Sequence, residues 1–336
     1  MQRPPLPASV TVWLLSCCAM IFAMALLGAI TRLTESGLSI TRWDPITGVL
    51  PPLSIEAWGQ AFAAYQTTPQ FRLLQSGMDL EGFKQIYFWE WLHRLWGRLI
   101  SLAFALPLLV FWLRRVIDGR QALKFLAVFA LGGAQGLIGW VMVESGLGGG
   151  LVERTSVSPI RLALHLGVAM LLYAILLWMA LGGRQRTMVK TSLLWHGWAA
   201  LACLVVTMTW GALTAGLQAG TIDNTWPLME GDFLPGNAMM WLDPFANPVF
   251  VQFLHRWLGP FTMAVILAWV WRCYRVRPAV LWLGAIALAQ VGLGLATLLS
   301  HAAIVIAVVH QAGAILLLTL LLYNLRSLCA RPTGHR

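Results

Sequence analysis

Glu90-Trp91-Leu92-His93-Arg94-Leu95-Trp96-Gly97-Arg98 opens a long apolar run, and its pattern returns as Gln252-Phe253-Leu254-His255-Arg256-Trp257-Leu258-Gly259-Pro260. Each copy carries a His-Arg pair, a Gly four residues after the His, and an acid or its amide three residues before it. Ionisable groups at the edge of an apolar span are costly to place and mark function by default. Their repetition points to a duplicated device, with Glu90 in one copy and Gln252 in the other.

The composition is that of a membrane protein. Of 336 residues, 59% are hydrophobic and 11% charged, against roughly 25% charged in an average soluble domain. A span needs about 20 apolar residues, and eight such stretches occur, near 10–30, 93–113, 122–143, 161–182, 194–215, 250–271, 279–300 and 303–325. The predicted fold is an all-α integral membrane protein whose eight transmembrane helices form two pseudo-twofold-related four-helix bundles. The N-terminal bundle covers residues 1–190, with a long outer loop at 32–92, and the C-terminal bundle covers 191–336.

Charge sets the orientation. Arg114, Arg115, Arg120 and Lys124 follow span two; Arg184, Arg186 and Lys190 follow span four; Arg272, Arg275 and Arg277 follow span six; Arg326, Arg331 and Arg336 form the tail. Eight spans put all of these, with Arg3, on one side, which the positive-inside rule makes the cytoplasm. Of the 13 acidic residues, all but Asp118 then lie outside. Both termini are expected in the cytoplasm of a bacterial cell with the protein in the inner membrane, because the first span reads as retained and no organellar presequence precedes it. The formal charge of +10 does not indicate nucleic acid, since the basic residues sit in short loops between spans. The five Cys (Cys17, Cys18, Cys203, Cys273, Cys329) give neither metal spacing nor a disulfide framework and read as small buried or interfacial thiols.

The halves repeat beyond the opening stretch. Gly28-Ala29-Ile30-Thr31 matches Gly211-Ala212-Leu213-Thr214, and Trp43 matches Trp226 at the same offset of 183. Ala134-Gln135 and Gly139 match Ala289-Gln290 and Gly294. Four spans precede the second unit, so the repeat is parallel. In the first outer loop, the mildly amphipathic stretch from Ile55 to Gln75 suits helix lying at the interface. The loop at 216–249 is richer in turn formers, with Asp223-Asn224, Glu230-Gly231-Asp232 and Pro235-Gly236.

His93, His165, His255 and His310 open alternate spans at matched places, all in the outer half of the membrane. Imidazoles from facing helices of a bundle can hold a flat macrocycle by its iron. One intramembrane His is commonly a polar group bonded to a neighbouring helix; four at one depth in two repeats favour haem. Zinc is disfavoured because it usually takes three or four converging ligands. Gly97 and Gly259 remove a side chain one turn beyond a ligand, where a porphyrin face needs room. Arg94, Arg98 and Arg256 are candidates to bind propionates, as a guanidinium holds a carboxylate with two prongs. Glu90 shares a helix face with His93 and is the candidate catalytic residue, orienting the imidazole, moving protons or binding substrate; its simpler role is to cap the start of span two. His301 reads as a turn residue with an auxiliary site role held open, His196 as an interfacial residue on the inner side, and His335 as part of the tail.

Glu90-x-x-His93-Arg94, His165, His255-Arg256 and His310, with Gly-Ala-x-Thr ending spans one and five, resemble the haem A synthase family of oxidase-assembly proteins from about residue 10 to 325. The resemblance implies a haem-dependent membrane oxidoreductase that converts the C8 methyl of haem O into a formyl group through successive hydroxylations. It implies a haem b in the C-terminal bundle on His255 and His310, and the substrate haem near His93 and His165, with Glu90 required. It also implies a haem O-making prenyltransferase as partner, beside an electron donor, membrane lipid and a homo-oligomeric state left open. Some bacterial members carry a Cys pair in the first outer loop. This chain has no Cys between Arg32 and Trp91, so a mechanism needing that pair does not transfer. Thr41-Arg42-Trp43-Asp44-Pro45 is similar to the version shared by proteobacteria and mitochondria. A di-haem electron-transfer protein and a haem transporter or chaperone are the rival readings of the four histidines.

Overall fold

The structure, a computed structural model, describes residues 6–44, 47–148, 154–183, 187–229, 231–233 and 243–330. Arg3, Pro45, Arg184, Arg186, Glu230, Pro235, Gly236, Arg331, His335 and Arg336, named above, lie outside them.

Among the described residues, ten α-helices run in the order α1 (Ala8–Leu33), α2 (Ile55–Gln66), α3 (Pro69–Leu74), α4 (Leu80–Leu113), α5 (Gly119–Glu144), α6 (Pro159–Ala180), α7 (Thr191–Gly216), α8 (Pro248–Cys273), α9 (Val280–Leu299) and α10 (Ile304–Arg326). All except α2 and α3 are long and apolar enough to cross a membrane, which makes the eight expected spans. Two short strands add to the all-helical expectation: β1 (Thr187–Val189) pairs in parallel with β2 (Leu328–Ala330), in register Thr187↔Leu328. The described cysteines Cys17, Cys18, Cys203 and Cys273 are free thiols.

One expected boundary moves. Helix α4 begins at Leu80 rather than near 93, so the first connecting segment is shorter than 32–92. Asp79 is its N-cap, and the Asp79 carboxylate accepts from the Gly82 N–H at 2.8 Å. Glu90 therefore lies inside the helix and caps nothing, which overturns the simpler role considered for it. The first turns escape a hydropathy reading because they are built for an aromatic cluster rather than for lipid. Phe83 and Ile86 of α4 pack with Tyr65 of α2 and Phe71 of α3, and Trp58, Phe62 and Tyr87 close around them. The amphipathic stretch from Ile55 to Gln75 forms two helices, broken at Thr67-Thr68, where Thr68 caps α3 and Pro69 takes its first position.

The chain divides into two compact units, Ala23–Ala169 and Met1–Phe22 with Met170–Arg336. In the second of these, α7 packs on α8, α8 on α9, α9 on α10 and α10 back on α7, closing a four-helix ring. Lipid is as apolar as leucine, so such helices associate by close packing and hydrogen bonds rather than by escape from water. Fully buried Trp269 shows both. Its indole N–H donates to the Leu193 carbonyl at 2.8 Å, and its ring lies where a Cβ on Gly197 would come within 2.7 Å of it. In the first unit, α4 packs on α5, and α2 packs on α4.

Candidate functional site

The four histidines fall on α4, α6, α8 and α10, and each ring lies against a glycine of another span, on α1, α5, α7 and α9 respectively. A Cβ built on Gly28 would lie 3.1 Å from Cε1 of His93, on Gly139 2.7 Å from that of His165, on Gly211 2.9 Å from that of His255, and on Gly294 3.0 Å from that of His310. Below 3.0 Å, as at Gly139 and Gly211, a Cβ would force the imidazole to move, and at 3.0–3.1 Å, as at Gly294 and Gly28, the ring would have to give by a few tenths of an ångström. The matched pairs Gly28/Gly211 and Gly139/Gly294 in the sequence are thus a ring cradle made four times.

Two glutamines brace the cradles. Gln135 donates through Nε2 to the His165 carbonyl at 2.8 Å, and Gln290 to the His310 carbonyl at 2.9 Å. The match of Ala134-Gln135 with Ala289-Gln290 was the signal for them, but sequence reasoning gave them no role.

The rings are poorly satisfied by protein. Nδ1 of His93, His255 and His310 is buried without a hydrogen-bond partner. Buried polar atoms are nearly always bonded, so three such cases on equivalent residues call for a ligand or water. His255 and His310 face one another with ring centroids 6.4 Å apart and planes at 79°. Two imidazoles ligating one metal from opposite sides at about 2 Å each hold their centroids roughly 6 Å apart. Among the described residues, no group of three or more His, Cys, Asp or Glu converges. The donor set is a pair of imidazoles, which fits haem iron and not a zinc site.

Glu90 and Arg94 make contacts that their sequence position does not announce. Glu90 is 3% exposed. Its Oε2 accepts from the Ser39 hydroxyl at 2.7 Å and the Ile40 N–H at 2.8 Å, and its Oε1 from Arg94 at 2.6 Å. Arg94 also donates to the carbonyls of Ile40 at 2.9 Å and Arg42 at 2.8 Å. Arg98 donates to the Asp44 carbonyl at 2.9 Å, and the Trp91 indole to that of Val49 at 2.9 Å. Successive turns of α4 thereby clasp Ser39 to Asp44, and Val49 beyond them.

The second copy repeats the clasp with reversed polarity. Gln252, also 3% exposed, donates to the Asp223 carbonyl at 2.7 Å. Asp223 is the residue that corresponds, at the offset of 183, to Ile40, whose N–H Glu90 accepts. Arg256 donates to the carbonyls of Asp223 and Leu228, both at 3.1 Å. Each arginine also lies over the matched tryptophan, Arg94 5.9 Å from the Trp43 ring and Arg256 6.0 Å from the Trp226 ring. The matched residues Glu35 and Gln218 both turn the chain through the left-handed region, each at φ 54°. The clasps account for the conserved spacing of acid or amide, His and Arg within the two copies: every fourth residue grips the loop while the His between them points to the cradle.

The remaining candidates separate. Gly97 stands 3.4 Å, through a built Cβ, from the Met24 methyl, and a Cβ on Gly259 would meet nothing within 4 Å. His301 occupies the turn between α9 and α10 in the left-handed conformation, at φ 53°. His196 bonds the Val265 carbonyl through Nε2 at 3.1 Å and meets Arg272 through Nδ1 at 3.0 Å, so it takes part in helix packing.

Comparison with known proteins identifies the family. Residues 11–322 match the model of the COX15-CtaA family, described as cytochrome oxidase assembly protein. Among curated relatives, one from Rhodospirillum centenum named heme A synthase is 50% identical over 344 residues, covering 96% of this chain and 89% of the relative. Proteins of the same name from Caulobacter vibrioides and Bradyrhizobium sp. (strain ORS 278) are 43% and 42% identical, covering 92% and 93% of this chain. With a family match over nearly its whole length and the duplicated histidine cradles inside that match, the chain belongs to the COX15-CtaA family of cytochrome oxidase assembly proteins.

Proposed function

We propose that this protein is a haem A synthase, a membrane oxidoreductase that takes the C8 methyl of haem O to a formyl group through hydroxylated intermediates. The relatives' names and the family support the activity. The observation that carries the haem reading is the set of four histidine rings cradled on glycine, with His255 and His310 at the separation of two axial ligands.

In this reading His255 and His310 hold a resident haem b, and His93 and His165 receive the iron of haem O. The bound haem supplies the redox chemistry. The chain's own residues supply the rest. The cradles fix each imidazole against its partner helix, and Gln135 and Gln290 pin the helices that carry His165 and His310. Glu90 is the catalytic candidate one helical turn from His93, and it holds the Ser39–Ile40 segment near the substrate iron. Arg94, Arg98 and Arg256 remain the propionate candidates, acting from the ends of the clasps. The two halves form pseudo-twofold four-helix bundles, at residues 1–190 and 191–336, with the histidines toward the outer side of a bacterial inner membrane and both termini cytoplasmic. Haem O arrives from a prenyltransferase through the lipid, and an electron donor completes the cycle.

The test is chromatography of haem extracted from the full-length protein made in cells that supply haem O. Haem B together with haem O, haem A or a hydroxylated intermediate is expected. Haem B alone would favour a di-haem electron carrier.

A further inference from the structure

The two glutamine braces are not equivalent, and the difference falls on one ligand. The Gln290 amide donates to the His310 carbonyl and not to the ring, whose Nδ1 is left without a partner. The Gln135 amide nitrogen lies against the His165 ring itself, 3.1 Å from Nδ1 and 3.5 Å from Nε2, while also donating to the His165 carbonyl at 2.8 Å. The carbonyl bond fixes which end of the amide faces His165, because a flipped amide would set oxygen against oxygen. The ring is therefore offered a donor. A neutral imidazole has a single acceptor nitrogen, so the amide and a metal compete for the same lone pair. His93, His255 and His310 each keep a buried Nδ1 with no such competitor.

We propose that Gln135 is a positioning residue that makes His165 the replaceable ligand of the His93/His165 pair, whereas His255 and His310 bind as a permanent pair. This rests on the reading of His93 and His165 as the substrate-haem site. It gives that site what two tight axial ligands deny it, a coordination position that opens to an exogenous ligand. The device is a single donor: one hydrogen bond of ordinary strength shifts the bound-to-released ratio of His165 by about fivefold.

The experiment uses full-length protein purified with its haems, reduced and titrated with carbon monoxide, alongside the low-spin fraction of the oxidised form. Wild type is expected to show a carbon monoxide-reactive haem that is lost in His93→Ala. Gln135→Leu should lower the reactive fraction about fivefold and raise the low-spin fraction at unchanged haem content, while Gln290→Leu, which loosens a brace of the other pair, does not lower the reactive fraction. Gln135→Met keeps the side-chain length, offers the ring no donor and sets no acceptor against the His165 carbonyl. It should lower reactivity as the Leu variant does and serves where that variant does not fold. Gln135 variants with full haem content and wild-type reactivity would overturn the proposal alone. A haem content that His93→Ala leaves unchanged would overturn it together with the site reading beneath it.

Discussion

Replacing Glu90 by Gln gives the first copy of the clasp the residue found in the second, and the geometry says it will not work there. Three donors converge on the carboxylate, from Ser39, Ile40 and Arg94. An amide offers one oxygen. Turned toward Ser39 and Ile40, it sets its NH2 against the Arg94 guanidinium; turned toward Arg94, it sets its NH2 against the Ile40 N–H. The Ser39 hydroxyl can reverse, but the backbone N–H cannot. Either rotamer costs one bond to a charged group, about 2 kcal/mol. Arg94 keeps its bonds to the Ile40 and Arg42 carbonyls, so the clasp loosens without falling apart. Glu90→Ala removes all three bonds and leaves Arg94 without its carboxylate, costing about 3–5 kcal/mol. Hydrogen exchange of the peptide containing Ile40 measures this directly. A loss of about 2 kcal/mol raises the opening constant about 30-fold, and the Ala variant should exceed it. Exchange at Ile40 within about twofold of wild type in both variants would refute the clasp. A collapse of formyl product in Glu90→Gln far beyond the exchange effect would add chemistry at the carboxyl to its structural role.

Other expectations follow from the same contacts. Gly294→Val should deplete the haem held by His255 and His310, because even its Cβ would lie 3.0 Å from the His310 ring, while the haem at His93 and His165 stays; separate haem stoichiometries read this out. Gln252→Glu should destabilise the protein by about 1–3 kcal/mol, since it sets an acceptor against the Asp223 carbonyl that Gln252 now serves; thermal unfolding in detergent checks the sign. Tyr65→Phe removes the hydroxyl bond to Gln70 at 3.1 Å and should cost about 1 kcal/mol in the α2–α4 cluster. Burial, with the charges of Glu35 and Glu90, pushes the Tyr65 phenol up to about 12. An unfolded chain ionises first, so the stability this gives is complete below about pH 10 and is lost as the pH rises through the folded value; tyrosinate absorbance against pH, in wild type and the Phe variant, follows it.

The spans were legible because lipid imposes a single requirement, a long apolar run. The histidine pairs were legible because duplication set His93 beside His255 and His165 against His310 at matched places. The start of α4 was not, because Leu80 to Trp89 packs on α2 and α3 and is not apolar in the manner of a span. Sequence spacing placed Glu90 and His93 on one helix face, yet the structure sends the carboxylate to Ser39 and Ile40, 50 or more residues away in sequence. No local pattern reports such a partner. The glycine cradles were half visible: Gly28, Gly139, Gly211 and Gly294 stood out as matched, but that each receives an imidazole is a fact of helix pairing. The role of Gln135 was hidden for the same reason, since the ring it touches is 30 residues away on another helix.

The four histidines divide into a substrate pair and a resident pair in the proposed function. Haem analysis of His93→Ala and His255→Ala in full-length protein from cells supplying haem O tests it. His93→Ala is expected to keep haem B and lose haem O and its oxidised products, and His255→Ala to lose haem B. Equal loss of haem B from both variants would contradict the two-role assignment.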